Sequence, residues 1–235
     1  MLDALYEKVR IDGKVISQAV VIAYGINQQG LREVIGVDVM ETENRESWTH
    51  FLRGLVARGL HGVTLVVSDA HEGLKAAIAT VLTGASWQRC RVHFMRNVLA
   101  HVPQARKREI VAAIRACFEQ VDAEAAKAQA RAIVERYRKV CGKAMEIFAA
   151  GIDDALSFFA FPQEHHRRLW STNPVEHLNR EIRRRTRSVG IFPTHGSAIR
   201  LITMILIEQT EEWATERRYL SEESMQRVLK PTRTN

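Results

Sequence analysis

The chain has 235 residues, of which 46% are hydrophobic and 26% are charged. This length and composition can bury a large core, so one substantial domain, or a domain with an insertion, is expected. The 34 basic and 27 acidic residues give a net charge of +7, and a surplus of this size favours a polyanionic partner.

Three classes of protein are disfavoured. The three cysteines, Cys90, Cys117 and Cys141, are odd in number and follow no zinc-finger spacing, which indicates a reducing cytoplasm and not a disulfide framework. The first residues, MLDALYEKVRIDGK, lack a signal-peptide pattern. The densest apolar run, 198–207, is too short to span a bilayer. We therefore expect a soluble cytoplasmic protein that does not act at a membrane.

The first 40 residues predict an antiparallel meander of three strands. Leu2–Ile11 leads to an Asp12-Gly13 dipeptide, which is a strong hairpin signal. Val15–Ile26 follows, and the turn at residues 27–30 leads to a third strand, Arg32–Met40.

Helices and strands then alternate. Apolar residues recur at helical spacing from Trp48 to Val56, and Val63–Val67 is a continuous apolar run typical of a buried strand. A helix over Glu72–Leu82 and a strand around Trp87–Val92 follow. The pattern βββαβαβ predicts the α/β class, with one mixed sheet flanked by helices.

The rest of the chain reads as helical. Alanine-rich segments at 105–118, 122–140 and 143–160 predict helices, and Pro162 ends this helical run. Two further helices are predicted at 173–187 and 198–217. Four parts are expected: the first part of a core at 1–100, a helical insertion at 101–165, helices completing the core at 166–220, and a polar tail at 221–235.

Three acids occupy positions where a site could form. Asp3 lies on the first strand, Asp69 follows the buried fourth strand, and Glu176 opens the helix after the insertion. Sites in open sheets form at strand ends, where loops converge. Ordinary explanations are also open: Asp3 could be a polar residue at a frayed end, and Asp69 has capping-box spacing to Glu72.

Glu176 has two ordinary explanations of its own. In the stretch STNPVEHLNREIRRRTR, Asn173 could be a helix N-cap, with Pro174 at the first helical position and Glu176 in a capping box. Glu176 and Arg180 also have the spacing of a helical ion pair.

The charges of this stretch are unevenly distributed. Residues 165–200 contain eight arginines and two glutamates, so most of the basic surplus lies here. On a helical wheel, Glu176 shares one sector with Arg180, Arg183 and Arg187, beside an apolar stripe of Val175, Leu178 and Ile182. A phosphate backbone along that sector would meet the arginines.

Several carboxylates beside a basic surface are typical of metal-assisted phosphodiester cleavage. Mg²⁺ prefers hard oxygen ligands and keeps water and substrate oxygens in its shell. Two such ions, about 4 Å apart, stabilise the attacking and leaving oxygens of an in-line displacement. The pattern therefore indicates a DNA-acting or RNA-acting site with two Mg²⁺ (or Mn²⁺) ions.

With these residues in view, the sequence resembles bacterial insertion-sequence transposases of the Mutator-like family. The stretches that carry the resemblance are LDALYEKVR, VVSDAHEGL, WQRCRVHFMRN, STNPVEHLNREIRRRTR and GIFP. The resemblance implies a ribonuclease H-like fold with an Asp-Asp-Glu triad, and Asp3, Asp69 and Glu176 match its three acids.

The implied function is metal-dependent hydrolysis of DNA at insertion-sequence ends, followed by strand transfer. Asp3, Asp69 and Glu176 would bind the metals. DNA phosphates would be contacted by Arg180, Arg183, Arg184 and Arg187, whereas Arg185 points to another sector. A homo-oligomer is expected in the active complex.

The family's Cys-x-x-His pair is matched by Cys90 and His93, which lack two further ligands for a zinc site. A buried thiol and a structural histidine are the ordinary explanation. Cys90, His93, Asn173 and Asn179 are candidate neighbours of the site.

The start of the chain departs from the family, because the N-terminal region that recognises the terminal repeats is not present before Asp3. Two alternatives therefore stay open. One is a ribonuclease H-like nuclease without strand transfer. The other is a truncated, non-catalytic remnant that binds DNA or pairs with an intact transposase.

Overall fold

A computed structural model describes residues 1–229 as a mixed α/β protein. Its strands are β1 (Leu2–Ile11), β2 (Lys14–Ile26), β3 (Arg32–Met40), β4 (Leu65–Ser68) and β5 (Ser86–Arg89). Its first helices are α1 (Arg45–Ala57), α2 (Glu72–Val81), α3 (Arg91–Leu99), α4 (Gln104–Phe118), α5 (Ala123–Tyr137) and α6 (Gly142–Gly151). Two 3-10 turns, Asp153–Ala155 and Ser157–Ala160, lead to α7 (Gln163–Leu169), α8 (Asn173–Thr186), α9 (His195–Thr215) and α10 (Glu222–Leu229). The predicted order βββαβαβ is confirmed.

The antiparallel meander is also confirmed. Ile11 pairs with Lys14 across the first turn, and Asp12 and Gly13 have φ values of 48° and 77°. Positive φ at both central residues is the geometry that an Asp-Gly hairpin turn requires. The ladder places Asp3 opposite Ile22, and the Met1 carbonyl accepts a hydrogen bond from Tyr24, so β1 is paired from its first residues.

The expectation of one mixed sheet is wrong. β1, β2 and β3 form one sheet, and β4 and β5 form a second sheet of two strands. Part of the edge of β1 that faces away from β2 is used by Phe192, whose N–H donates to Lys8 and whose carbonyl accepts from Arg10. The four-residue strand β4 pairs with β5 instead.

Two strand boundaries differ from those expected. β4 begins at Leu65 and not at Val63, and β5 ends at Arg89 and not at Val92. The second difference arises because α3 begins at Arg91, so the apolar Val92 and Phe94 pack from a helix.

The chain divides into two compact units. Among the described residues, the first comprises 1–66, 71–85 and 172–229, and the second comprises 67–70 and 86–171, a range that includes residues 101–165. The core of the first unit joins the meander to α8 and α9, since Leu5, Val20 and Ile22 cluster with Leu178 and Ile182. Gly36 lets α1 approach β3 closely, because a Cβ there would lie 2.5 Å from Leu55.

The second unit is organised around a buried glutamine. Gln88 on β5 donates to the carbonyl of Ala155 at 2.8 Å and accepts from the N–H of Phe158 at 2.9 Å. These bonds attach β5 to the 3-10 turns, while Phe94 on α3 stacks on Phe148 of α6. The result is a helical unit built on one short strand.

Part of the expected polar tail is ordered as α10 (Glu222–Leu229), whereas residues 230–235 of that tail lie outside the described residues. The chain before α10 packs on the second turn of the meander, where the N–H groups of Tyr219 and Leu220 donate to the Gly30 carbonyl. Among residues 1–229, no helix combines the length and the apolarity needed to cross a membrane.

Candidate active site

The first predicted acid, Asp3, is half-buried and bound by a residue from a distant part of the chain. Asn179 Nδ2 on α8 donates to Asp3 Oδ2 at 2.7 Å. Asn179 itself is only 7% exposed. Asp3 is therefore not a loose polar residue at a frayed end, because its carboxylate has a defined partner in the core of the first unit.

The third acid, Glu176, lies on the same helix, one turn before Asn179. The expected capping box is wrong: α8 begins at Asn173, its N-cap is Thr172 and not Asn173, and the Thr172 side chain makes no capping hydrogen bond. The Glu176 N–H donates to the Thr172 carbonyl at 2.9 Å as an ordinary first helical bond. Asn173 is exposed at the first turn.

Two further contacts fix α8 along β1. Thr186 Oγ1 donates to Glu7 Oε1 at 2.8 Å, and Phe192, just after the helix, forms a parallel bridge with Val9. Asp3 and Glu7 are four residues apart on one face of a strand, a rise of about 13 Å. Asn179 and Thr186 are two helical turns apart, about 10 Å. The helix therefore runs along the strand, and its acid-bearing end lies at the Asp3 end.

The second acid, Asp69, lies in the other unit, directly after β4, and is exposed. The expected capping role is wrong here too. His71 is the N-cap of α2, and its Nδ1 accepts the Leu74 N–H at 3.2 Å. Asp69 Oδ1 accepts only from the adjacent Ala70 N–H, at 2.7 Å. Because a histidine two residues later performs the capping, the helix does not need the Asp69 carboxylate.

Cys90 is brought to the strand end that carries Asp69. Its N–H donates to the Ser68 carbonyl at 2.8 Å, one residue before Asp69. The Cys90 side chain is fully buried at the start of α3, and His93 follows within the first helical turn. The structure therefore places the backbone of Cys90 next to Ser68, the residue before Asp69, in the second unit.

The arginines of α8 divide into two groups. Arg180, Arg183 and Arg187 are exposed, and none forms an ion pair with an acid among residues 1–229. The expected ion pair between Glu176 and Arg180 is therefore not formed. Since the positive charges of these three side chains are not neutralised by ion pairs within residues 1–229, they can bind an external anion.

Arg184 belongs to the second group, because Glu181 neutralises it. Arg184 Nε lies 3.0 Å from Glu181 Oε2. Arg185 also pairs with Glu181, and its Nη2 lies 2.9 Å from Glu208 Oε2. The hydrogen bond from Arg184 is the main cause that lowers the pKa of Glu181 from 4.5 to about 2. Sequence reasoning missed Glu181, although its spacing of three and four residues from the two arginines signals this pairing.

The oxygen donors of the first unit have the chemistry of a hard cation's ligands. Asp3 and Glu176 supply carboxylates from packed elements, and Asn179 Oδ1 is buried with no hydrogen-bond partner in the described part of the chain. Carboxylate and amide oxygens suit Mg²⁺. Within residues 1–229 no three His, Cys, Asp or Glu side chains are gathered closely enough to hold a metal ion.

Comparison with known proteins adds family evidence. The family model described as "Transposase, Mutator family" matches residues 1–216. The chain is 44% identical over 226 residues to the transposase for insertion sequence element IS1081 of Mycobacterium tuberculosis, covering 96% of this chain and 54% of the relative. It is 38% identical over 224 residues to the transposase for IS256 in transposon Tn4001 of Staphylococcus aureus, covering 94% and 57%. The chain thus spans little more than half the length of these relatives.

Proposed function

Because the chain belongs to the Mutator family of transposases, we propose that it forms the catalytic part of an insertion-sequence transposase with a ribonuclease H-like arrangement. Its substrate would be DNA at the element's ends and at the target. Its reactions would be phosphodiester hydrolysis and transfer of the freed 3′ end. The observation that carries the proposal is the bond from Asn179 to Asp3, because it joins the strand of the first acid to the helix of the third.

Two of the acids lack a role that the sequence suggested for them. Asp69 does not cap α2, and Arg180 does not pair with Glu176. Asp3, Asp69 and Glu176 would hold Mg²⁺ or Mn²⁺, and two such ions would supply charge stabilisation for the entering and leaving oxygens.

Other side chains of this chain orient the Asp3 carboxylate and bind the DNA phosphates. Asn179 orients the Asp3 carboxylate through its amide N–H. Arg180, Arg183 and Arg187 bind phosphates along the helix that carries Glu176, so the scissile backbone lies beside the acid. Arg184 contributes to DNA binding only after it leaves Glu181. A homo-oligomer would bring two ends together in the active complex.

Metal titration and product analysis test the proposal. Isothermal titration with Mn²⁺ should give a binding heat that Asp69→Asn, Glu176→Gln and Asp3→Asn each reduce strongly. Glu46→Gln and Asp153→Asn, which remove acids from exposed positions elsewhere, should leave the heat unchanged. Equal heats in all five variants would contradict the assigned metal site.

Product analysis with Mg²⁺ separates the alternatives. Joined DNA molecules are expected if the chain transfers strands, whereas cleavage without joining would indicate a nuclease. DNA binding with neither cleavage nor metal heat would indicate a non-catalytic remnant. Cleavage that survives Asp69→Ala would exclude the three-acid mechanism.

A further inference from the structure

The second unit carries a basic groove between α3 and α4 that has no role in the proposed metal site. We call it the cationic groove. Its volume is about 570 Å³, its apolar lining includes Met95 and Leu99, and its charged members are Arg91, Arg96, Lys107 and Arg115. Among residues 1–229, no acidic residue lines it.

The charge of the groove is not neutralised by ion pairs. Among residues 1–229, none of its four cations lies within ion-pair distance of a carboxylate. Glu119 acts on Arg91 only at longer range, and Arg115 opposes that effect. Four cations in one groove repel one another, so an anionic occupant would stabilise the arrangement.

Arg91 is fixed in place before any ligand arrives. Its guanidinium carbon lies 3.9 Å from the centroid of the Trp170 ring and 5.1 Å from that of Phe118. Stacking on aromatic faces orients a guanidinium and leaves it weakly hydrated. Burial also lowers the pKa of Arg91, and its Nη1 is buried with no hydrogen-bond partner in the described residues. The groove therefore presents a preorganised and incompletely compensated positive charge.

We infer that the cationic groove binds the sugar-phosphate backbone of DNA, as a contact surface separate from the arginines of α8. The DNA backbone alternates anionic phosphates with apolar deoxyribose carbons, which matches a lining of cations together with Met95 and Leu99. The identity of the polyanion as DNA rests on the proposed function. The contact is backbone binding, so no preference for base sequence is expected.

The first test measures DNA affinity in EDTA, so that metal chemistry plays no part. A labelled duplex of mixed sequence is titrated with the full chain at several salt concentrations, and fluorescence anisotropy is read. The variant Arg96→Gln/Lys107→Gln/Arg115→Gln should weaken binding about tenfold or more at about 0.1 M salt, and should reduce the salt slope by about 2 to 3.

A charge-matched control decides whether location matters. Arg108→Gln/Arg131→Gln/Lys139→Gln removes three exposed cations that lie on the same unit but do not line the groove. This control should lose much less affinity. An equal loss in the two triple variants would overturn the inference, because it would show that only net charge matters.

Hydrogen–deuterium exchange on the unmodified chain is independent of whether any variant folds. DNA should protect residues 91–118, and residues 123–137 of the same unit should change little. Absence of protection at 91–118 would overturn the inference. Equal protection by polyglutamate would also overturn it, because a protein-like acidic partner would then fit as well.

Failure of this inference is distinguishable from failure of the proposed function. The triple groove variant should keep the Mn²⁺ binding heat, and Asp69→Asn should keep the DNA affinity. If the unmodified chain gives no Mn²⁺ binding heat but DNA still protects residues 91–118 from exchange, only the metal site is refuted.

Discussion

Asn179 donates a hydrogen bond to Asp3 across 176 residues of sequence, with 2.7 Å between Nδ2 and Oδ2. Because Asn179 is almost fully buried, this bond determines where a carboxylate lies inside the first unit. Glu176 lies one turn away on the same helix. The bond attaches the strand of Asp3 to the helix that carries Glu176, and it leads to a first prediction.

Asn179→Leu should remove one hydrogen-bond donor from the Asp3 carboxylate. We expect the free energy of unfolding to fall by about 1.5–3 kcal/mol, the contribution of a hydrogen bond to a charged group, measured by urea denaturation. The apparent Mn²⁺ affinity should fall as well. Thr186→Val is the matched control, because it removes a different hydrogen bond between α8 and β1, the bond to Glu7. If both variants lower the metal affinity equally, Asn179 has only a structural role.

Replacing His71 with alanine should lower the free energy of unfolding much more than replacing Asp69 with alanine. His71→Ala removes the N-cap of α2, and a lost cap costs about 1 kcal/mol. Asp69→Ala should change the free energy of unfolding by much less, because its carboxylate reaches only the adjacent Ala70 N–H. Chemical denaturation of the two variants measures both values. A larger loss for Asp69→Ala would restore the capping explanation.

Removing Glu181 should strengthen DNA binding. Glu181→Gln frees Arg184, which can then contact a phosphate. One additional contact should steepen the salt slope by about 1 and raise the affinity several-fold at about 0.1 M salt. Anisotropy titration gives both quantities. Glu46→Gln changes the net charge equally and lies elsewhere on α1, so a comparable gain there would attribute the effect to net charge.

Glu181 should also produce a defined pH dependence. Its pKa is lowered from 4.5 to about 2, mainly by the hydrogen bond from Arg184. A carboxyl with a lowered folded-state pKa contributes stability above its unfolded pKa, and this stability is lost as the pH falls through the folded pKa. The thermal midpoint of the unmodified chain should therefore exceed that of Glu181→Gln at neutral pH, and the difference should vanish between about pH 4.5 and 2. A constant difference across that window would contradict the pairing.

Alanine substitutions at two glycines with similar φ angles test how much the packing of the chain before α10 contributes to stability. Gly13 and Gly30 have φ of 77° and 76°, but a Cβ at Gly13 meets nothing within 4 Å, whereas one at Gly30 would lie 2.1 Å from the Leu220 carbonyl oxygen. Gly13→Ala should cost only backbone strain, about 1–2 kcal/mol. Gly30→Ala should cost more, because the chain before α10 must move. Equal melting temperatures would show that this packing is weak.

The sequence predicted local structure well where the signal was local. The Asp12-Gly13 turn, the bounds of β1 and β3 and the order βββαβαβ depend on turn chemistry and apolar periodicity over a few residues. The assignment of Asp3, Asp69 and Glu176 to a metal site stays a prediction.

The helix caps and the long-range contacts could not be predicted from short stretches of sequence. Both capping predictions were wrong, because each N-cap lies one or two residues from the expected position, at His71 for α2 and at Thr172 for α8. The bond from Asn179 to Asp3 and the pairing of Phe192 with β1 depend on long-range packing. The separation of β4 and β5 from the meander has the same cause.

The placement of the two units along the chain has a consequence for synthesis on the ribosome. Apart from residues 67–70, the second unit is one continuous stretch, 86–171, so it can fold as soon as that stretch has emerged. The first unit needs α8, α9 and Phe192 to cover a strand that is synthesised before the second unit. The Asp3 carboxylate therefore gains its bond from Asn179 only after the second unit has been synthesised, and a polypeptide that ends before residue 179 would contain the helical unit without this bond.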